Sequence, residues 1–136
     1  MRIMGLDVGD KTIGVAISDE MGLTAQGLKV IRRVGIKRDV VEVLRLVKDY
    51  SVEEVVVGLP KNMDGTIGPQ AQKVLRFVER LGEEISAPIT LWDERLSTVA
   101  VTRVLLEGGV KRKQRKGVVD KMAAVYILQG YLDSFH

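Results

Sequence analysis

Residues 2–18 read RIMGLDVGDKTIGVAIS. Two apolar runs, Arg2 to Val8 and Thr12 to Ser18, are split by Gly9-Asp10-Lys11. Short runs rich in β-branched residues on either side of a glycine-containing break are the pattern of a β-hairpin. "DEMG", Asp19 to Gly22, then turns the chain into a third run, "GLKVIRR", Gly27 to Arg33. Strand alternation there puts Leu28, Val30 and Arg32 on one face and Lys29, Ile31 and Arg33 on the other. Three antiparallel strands therefore open the chain. Asp7 breaks the first run at its end, and by itself it is ambiguous. Such a glycine-rich turn can hold a nucleotide phosphate on backbone N–H groups, and a carboxylate there can hold a metal ion.

Beyond the third strand the period changes. Val40, Val43, Leu44 and Val47 recur at helical spacing between Asp39 and Tyr50. Val55 to Leu59 is a continuous apolar run, the signature of a strand buried on both faces, and Pro60 ends it. "KNMDGTIG" is a loop with an Asp-Gly turn. Pro69 suits the first position of a helix whose apolar stripe is Val74, Leu75, Val78 and Leu81. "PITLW", ending at Trp92, is a fifth strand. "LSTVAVTRVLLEGG" predicts a helix capped by Ser97 or Thr98 and stopped by Gly108-Gly109. A basic loop follows, and a last helix runs from about Val118 to Leu132. The order βββαβαβαα predicts one α/β domain over residues 1–136, a five-stranded mixed sheet with helices on both faces.

Composition removes whole classes of chemistry. The chain has no cysteine, and its only histidine is the terminal His136. Thiolate zinc sites, Fe–S clusters, thiol nucleophiles and a Ser-His-Asp triad are excluded together. Any metal or acid–base chemistry falls to carboxylates, lysines and tyrosines. The net charge is +3, and five of the six residues Lys111 to Lys116, "KRKQRK", are cations. A basic segment on a small domain points to a polyanion, usually nucleic acid. With no apolar stretch of about 20 residues and no signal-peptide pattern, the chain reads as soluble, cytoplasmic and without a membrane partner.

In open α/β sheets, sites form beyond the carboxyl ends of the parallel strands. Asp7 ends strand one, "GLPKN" ends strand four, and Asp93, Glu94 and Arg95 follow strand five. Asp120 stands near the start of the last helix, with the small residues Ala123 and Ala124 beside it. Each carboxylate alone has a plain explanation as a turn or helix-start residue. Asp10 is the hairpin turn residue, and Asp19-Glu20 is a solvated turn. Alternation lets one of Asp93 and Glu94 face a site; Glu94 is preferred and Asp93 is the alternative. Asp7, Glu94 and Asp120 together form an oxygen-only set, which selects Mg²⁺ or Mn²⁺. Two such ions about 4 Å apart activate water and stabilise the leaving oxygen in phosphodiester hydrolysis. Lys111, Arg112, Lys113, Arg115 and Lys116 supply phosphate contacts that raise affinity without reading sequence. Lys61 and Asn62 of "GLPKN", Lys11 in the hairpin and Arg95 are further candidates for phosphate.

Four stretches, "LDVGDKTIGVAISDE", "VVVGLPKNMDGTIG", "LWDERLSTVAV" and "VVDKMAAVYILQGYL", stand in the order and spacing of the YqgF-type family, and the resemblance covers essentially the whole chain. The family comprises bacterial proteins described as pre-16S rRNA nucleases and as Holliday junction resolvases. The resemblance implies an RNase H-like fold and a metal-dependent site on the first strand, near the fifth strand and on the last helix. Those roles fall on Asp7, Glu94 (or Asp93) and Asp120. It also implies 5′-end processing of precursor 16S ribosomal RNA, with ribosomal particles as partners, ahead of cleavage of branched DNA. A monomer or a homodimer is compatible with it. Two other classes compete. A nucleotide-binding module of the actin and sugar-kinase type shares the early Asp-x-Gly turn but needs a second such domain. A non-catalytic RNA-binding assembly factor would use the basic run alone and tolerate loss of Asp7.

Overall fold

The computed structural model describes residues 1–96 and 112–135, the side chains of residues 112–120 excepted. Five strands make one sheet: β1 (Arg2–Val8), β2 (Thr12–Ser18), β3 (Ala25–Arg32), β4 (Val52–Leu59) and β5 (Ile89–Asp93). Their spatial order is β3-β2-β1-β4-β5. The first three are antiparallel, while β4 and β5 continue parallel to β1. The described helices are α1 (Ile36–Asp49), α2 (Pro69–Gly82) and α3 (Arg112–Asp133).

The opening hairpin lies where the sequence puts it. Asp7 pairs with Gly14, and the Gly9 N–H donates to the Thr12 carbonyl at 2.9 Å. Alternation along β1 then sorts the core into two layers. Met4, Leu6 and Val8 join Val55 and Val57 against Val40 and Val43 of α1 and Val74, Phe77 and Leu81 of α2. On the other face Ile3, Ala16 and Val56 meet Ala123, Ala124, Ile127, Leu128 and Leu132 of α3. Removing side chains such as Phe77 or Leu128 from water stabilises the fold by roughly 1.5–3 kcal/mol each.

A glycine sets how close α3 comes to the sheet. A Cβ on Gly5 would stand 2.7 Å from the Leu128 Cβ and 3.1 Å from the Ala124 carbonyl oxygen. Only a residue without a side chain lets the helix rest on β1 at that height.

Two expectations are corrected. In β3, Leu28 does not share a face with Val30. The register shifts between Val15–Lys29 and Ala16–Gly27, so Leu28 is an extra residue, and it packs with Ile31 on the α1 side. A bulge of this kind inserts one residue and breaks simple alternation. The last helix starts earlier than expected, at Arg112 rather than about Val118. Arg112, Lys113, Arg115 and Lys116 thus lie on helical backbone, and Asp120 stands about two turns inside α3, not in its first turn. Lys, Arg and Gln are good helix formers, and the single Gly117 costs about 1 kcal/mol, too little to stop the run. The helix expected over 96–109, its Ser97 or Thr98 cap, and Lys111 lie outside the described residues.

Candidate active site at the carboxyl edge of the parallel strands

The ends of β1, β4 and β5 meet at one edge of the sheet. Two carboxylates are buried there: Asp7, 5% exposed, on β1, and Glu94, 8% exposed, opening a 3-10 turn (Glu94–Leu96) after β5. Burying a charged group is expensive unless other groups or a cation compensate it. Both carboxylates are engaged with neighbouring groups.

Strand register brings the two together. Ile3 and Gly5 face α3, so alternation puts Asp7 on the same side. Leu6 pairs with Val57, which makes the next residues, Asp7 and Gly58, neighbours across the ladder. Gly58 in turn pairs with Trp92 of β5. A Cβ on Gly58 would stand 3.0 Å from the Glu94 Oε2 and would collide with the Ile127 Cδ1. Gly58 therefore lets the Ile127 side chain and the Glu94 carboxylate close onto β4, between the strand ends that carry the two acids. The Gly within the apolar run Val55 to Leu59 was a readable signal for close approach.

Asp93 sits differently. Its carboxylate accepts from the Arg95 backbone N–H at 3.0 Å, from Nε at 3.1 Å and from Nη2 at 2.7 Å. The Lys61 Nζ is 4.0 Å away. The Arg95 hydrogen bonds, above all, hold the Asp93 carboxyl below the ordinary carboxylate range. Arg95 also donates to the Met63 carbonyl at 3.3 Å, clasping the loop that follows β4. That loop is closed on itself: the Gly65 N–H donates to the Asn62 carbonyl at 2.8 Å, and Gly65 takes a left-handed φ of +88°. The Asn62 N–H donates to the Thr66 carbonyl, and its side-chain amide to the Thr66 Oγ1, each at 2.9 Å. Asn62 thus spends its donors inside the loop and Arg95 spends its own on Asp93 and the Met63 carbonyl, while the Lys61 side chain remains 30% exposed at the rim.

A brace behind Asp7 was not read from the sequence. Arg33 donates from Nη1 to the Gly9 carbonyl at 2.8 Å and from its N–H to the Lys11 carbonyl at 2.9 Å. Its Nε donates to the Asp39 Oδ2 at 2.9 Å, and the Asp39 Oδ1 accepts the Val34 N–H at 3.0 Å. Asp39 is 1% exposed, and the Arg33 guanidinium lies 5.5 Å from the Phe77 ring centroid. This network fixes the turn directly after Asp7 and leaves the Lys11 side chain exposed. The available signal was an acid beside the apolar stripe of α1, at a helix start that has no side-chain cap.

Asp120 stands four residues before Ala124, one turn along the helix that rests on Gly5. Arg112, Lys113, Arg115 and Lys116 occupy the preceding turns of α3. Among the described residues no group of three carboxylate or histidine side chains is gathered, and the Asp120 side chain is not one of them.

Comparison with known proteins places this arrangement. A family profile described as "RuvX: Holliday junction resolvase" matches residues 1–134. A protein of Desulforamulus reducens named "Putative pre-16S rRNA nuclease" is 60% identical over 134 residues, covering 98% of each chain. One of Clostridioides difficile with the same name is 61% identical over 132 residues, covering 97% of this chain and 94% of its own. Among solved structures, RuvC of Thermus thermophilus superposes with a TM-score of 0.60 at 17% identity, covering 99% of this chain and 96% of its own. That likeness shows an RNase H-like fold. No helix among the described residues is long and apolar enough to cross a membrane. Matched along almost its whole length, the chain belongs to the RuvX family.

Proposed function

We propose that residues 1–136 form one RNase H-like nuclease domain. It hydrolyses phosphodiester bonds of precursor 16S ribosomal RNA during maturation of its 5′ end. The observation that carries this reading is the pair of buried carboxylates, Asp7 and Glu94, flanking Gly58 at the carboxyl edge of the sheet. The two close relatives that bear a pre-16S rRNA nuclease name support the substrate.

The donor set fits a hard divalent cation. The acids are oxygen ligands, the chain has no cysteine, and Gly58, lacking a Cβ, lets the Glu94 carboxylate approach the β4 backbone beside Asp7. Asp7 and Glu94, with Asp120 from α3, are the residues that would hold Mg²⁺ or Mn²⁺, as a pair of ions. When bound, such ions activate water and stabilise the leaving oxygen of a phosphodiester. Asp93, clasped by Arg95, positions the loop after β4 and is not a ligand in this reading. Lys11, Lys61 and the cations of residues 111–116 neutralise backbone phosphates and draw the polyanion toward the acids, which would otherwise repel it. Asn62 and Arg95 shape the rim. The setting is the cytoplasm, on precursor ribosomal particles.

A second reading follows from the family description: cleavage of branched DNA at a four-way junction. A symmetric junction needs two sites and hence a homodimer, whereas RNA trimming works with a monomer.

The test is cleavage of a precursor 16S RNA and of a four-way DNA junction, each with Mg²⁺, Mn²⁺ or chelator. The enzymes are wild type, Asp7→Asn, Glu94→Gln and Asp120→Asn. The expected result is metal-dependent cutting of the RNA by the wild type alone. Cutting that survives all three substitutions contradicts the metal site, and preference for the junction transfers the substrate to DNA.

A further inference from the structure

A cleft of about 430 Å³ opens beside the Gly9–Lys11 turn. Asp10, Arg33, Gly35, Asp39, Lys73 and Arg76 line it, so its walls are the hairpin, the amino end of α1 and the first turns of α2. Its two acids are both engaged. Asp39 is buried under Arg33 and Val34, and Asp10 accepts from the Lys73 Nζ at 3.1 Å. Lys73 and Arg76 are exposed, as is Lys37 next to the cleft on the first turn of α1. Lys37 and Arg76 make no ion pair among the described residues. A neighbouring cleft of about 310 Å³, which shares Asp39, carries Arg32 and Arg38 and extends the basic surface.

We propose that this cleft binds the sugar–phosphate backbone of the nucleic acid on the side of the site away from α3. The inference rests on the nuclease reading above and adds a second phosphate track to the one on residues 111–116. Three facts on the molecule point to it. The cleft opens at the same sheet edge as Asp7, because β1 ends there and both α1 and α2 begin there. Asp10 lies three residues beyond Asp7, at most about 10 Å of chain, so the cleft is within reach of a phosphate neighbouring the one at the acids. Arg33 and Lys73 are paired with Asp39 and Asp10, while Arg76 in the lining and Lys37 beside it carry charge outside any ion pair among the described residues. By contrast, a cleft of about 420 Å³ at the opposite edge is lined by Glu20, Asp49 and Glu53 with Arg2 and the terminal amine. The two clefts match in size and differ in charge, so a polyanion is guided to one and turned from the other. The contacts are to phosphate, so the cleft raises affinity for any sequence.

The test is binding of a labelled single-stranded RNA by anisotropy, in chelator, across a salt series, with cleavage assayed separately in Mg²⁺. The proteins are wild type, the triple variant Lys37→Gln/Lys73→Gln/Arg76→Gln, and the opposite-edge variant Glu20→Gln/Glu53→Gln. All substituted groups are exposed or partly exposed, and circular dichroism checks the fold. For the triple variant, the expected slope of log Kd against log salt falls by about two, and affinity at 0.1 M salt falls about tenfold. The opposite-edge variant stays within about twofold. If the wild type cleaves and the triple variant keeps its slope and affinity, the cleft proposal is overturned and the nuclease reading stands. If the triple variant loses binding to polyglutamate but not to RNA, the cleft is a surface for acidic protein, and the proposal again fails. A wild type that neither binds nor cleaves overturns both.

Discussion

The two edges of the sheet use the same residue types for opposite ends. At the amino edge, Asp19 closes a turn: its Oδ1 accepts the Leu23 N–H at 2.7 Å and the Thr24 N–H at 3.2 Å. Those backbone donors hold its carboxyl below the ordinary range. At the carboxyl edge, Asp7 and Glu94 are buried and flank Gly58. Acidity does not separate a turn residue from a candidate ligand, and neither does neighbouring glycine. Burial beside a second carboxylate does, because two buried charges of one sign repel unless something between them compensates.

The contrast is broken most directly by substitution at both edges. Asp7→Asn or Glu94→Gln is expected to lower RNA cleavage by about 100-fold or more, since each would remove a ligand of the proposed metal site. Asp19→Asn and Asp93→Asn keep rates within several-fold. Equal losses at Asp19 and Asp7 in a single-turnover assay would erase the distinction between the edges.

The next largest effect is on stability. Replacing Asp39 by Ala strands the Arg33 guanidinium and leaves the Val34 N–H without its acceptor. Breaking a buried pair from one side costs about 3 kcal/mol or more. Urea unfolding of Asp39→Ala checks this, and a midpoint unchanged from wild type contradicts the brace. Arg33→Lys is predicted to retain cleavage only in part, because an ammonium cannot hold Gly9, Lys11 and Asp39 with the same planar fork.

Smaller still are the effects at two of the glycines under α3, Gly5 and Gly27. Gly5→Ala pushes Leu128 and the Ala124 carbonyl and destabilises by roughly 1–3 kcal/mol. A Cβ on Gly27 meets only the flexible carbons of Lys121, so Gly27→Ala is predicted to change stability by less than about 1 kcal/mol. Similar melting temperatures for the two variants would show that α3 does not rest on β1 as closely as described.

The smallest effect is on pH dependence. The Asp93 carboxyl titrates below its ordinary value of 3.8 because Arg95 donates to it. A lowered native pKa adds stability above the unfolded value, and that stability is lost as pH falls through the native one. The stability difference between wild type and Asp93→Asn is therefore constant at neutral pH and shrinks only below about pH 4. NMR titration of the Asp93 carboxyl above its ordinary value would contradict the clasp.

Much of this was legible in the residues. Short apolar runs broken by Gly9-Asp10-Lys11 place the hairpin, and Pro69 marks the start of α2 to the residue. Strand alternation was the ground for separating Asp93 from Glu94, whereas β5 ends at Asp93 and Glu94 opens the 3-10 turn that follows. What escaped was set by tertiary contact. Leu28 changes face through a bulge that strand pairing alone creates. The basic run Arg112 to Lys116 reads as a loop by charge and is helical by propensity. The Arg33–Asp39 brace joins a hairpin carbonyl to a helix start thirty residues away in sequence, a pairing no local window contains. Gly5 and Gly58 were visible as glycines inside strands, yet what approaches them appears only when α3 and β5 are in place.

In the proposed site Asp7 and Glu94 hold a divalent cation between them. Binding of Mn²⁺ followed by electron paramagnetic resonance, with RNA absent, tests it without depending on catalysis. The expected result is saturable Mn²⁺ binding by the wild type, marked weakening in Asp7→Asn and in Glu94→Gln, and none in the double variant. Asp93→Asn should bind as the wild type does. Undiminished Mn²⁺ binding by the Asp7→Asn/Glu94→Gln protein would contradict it.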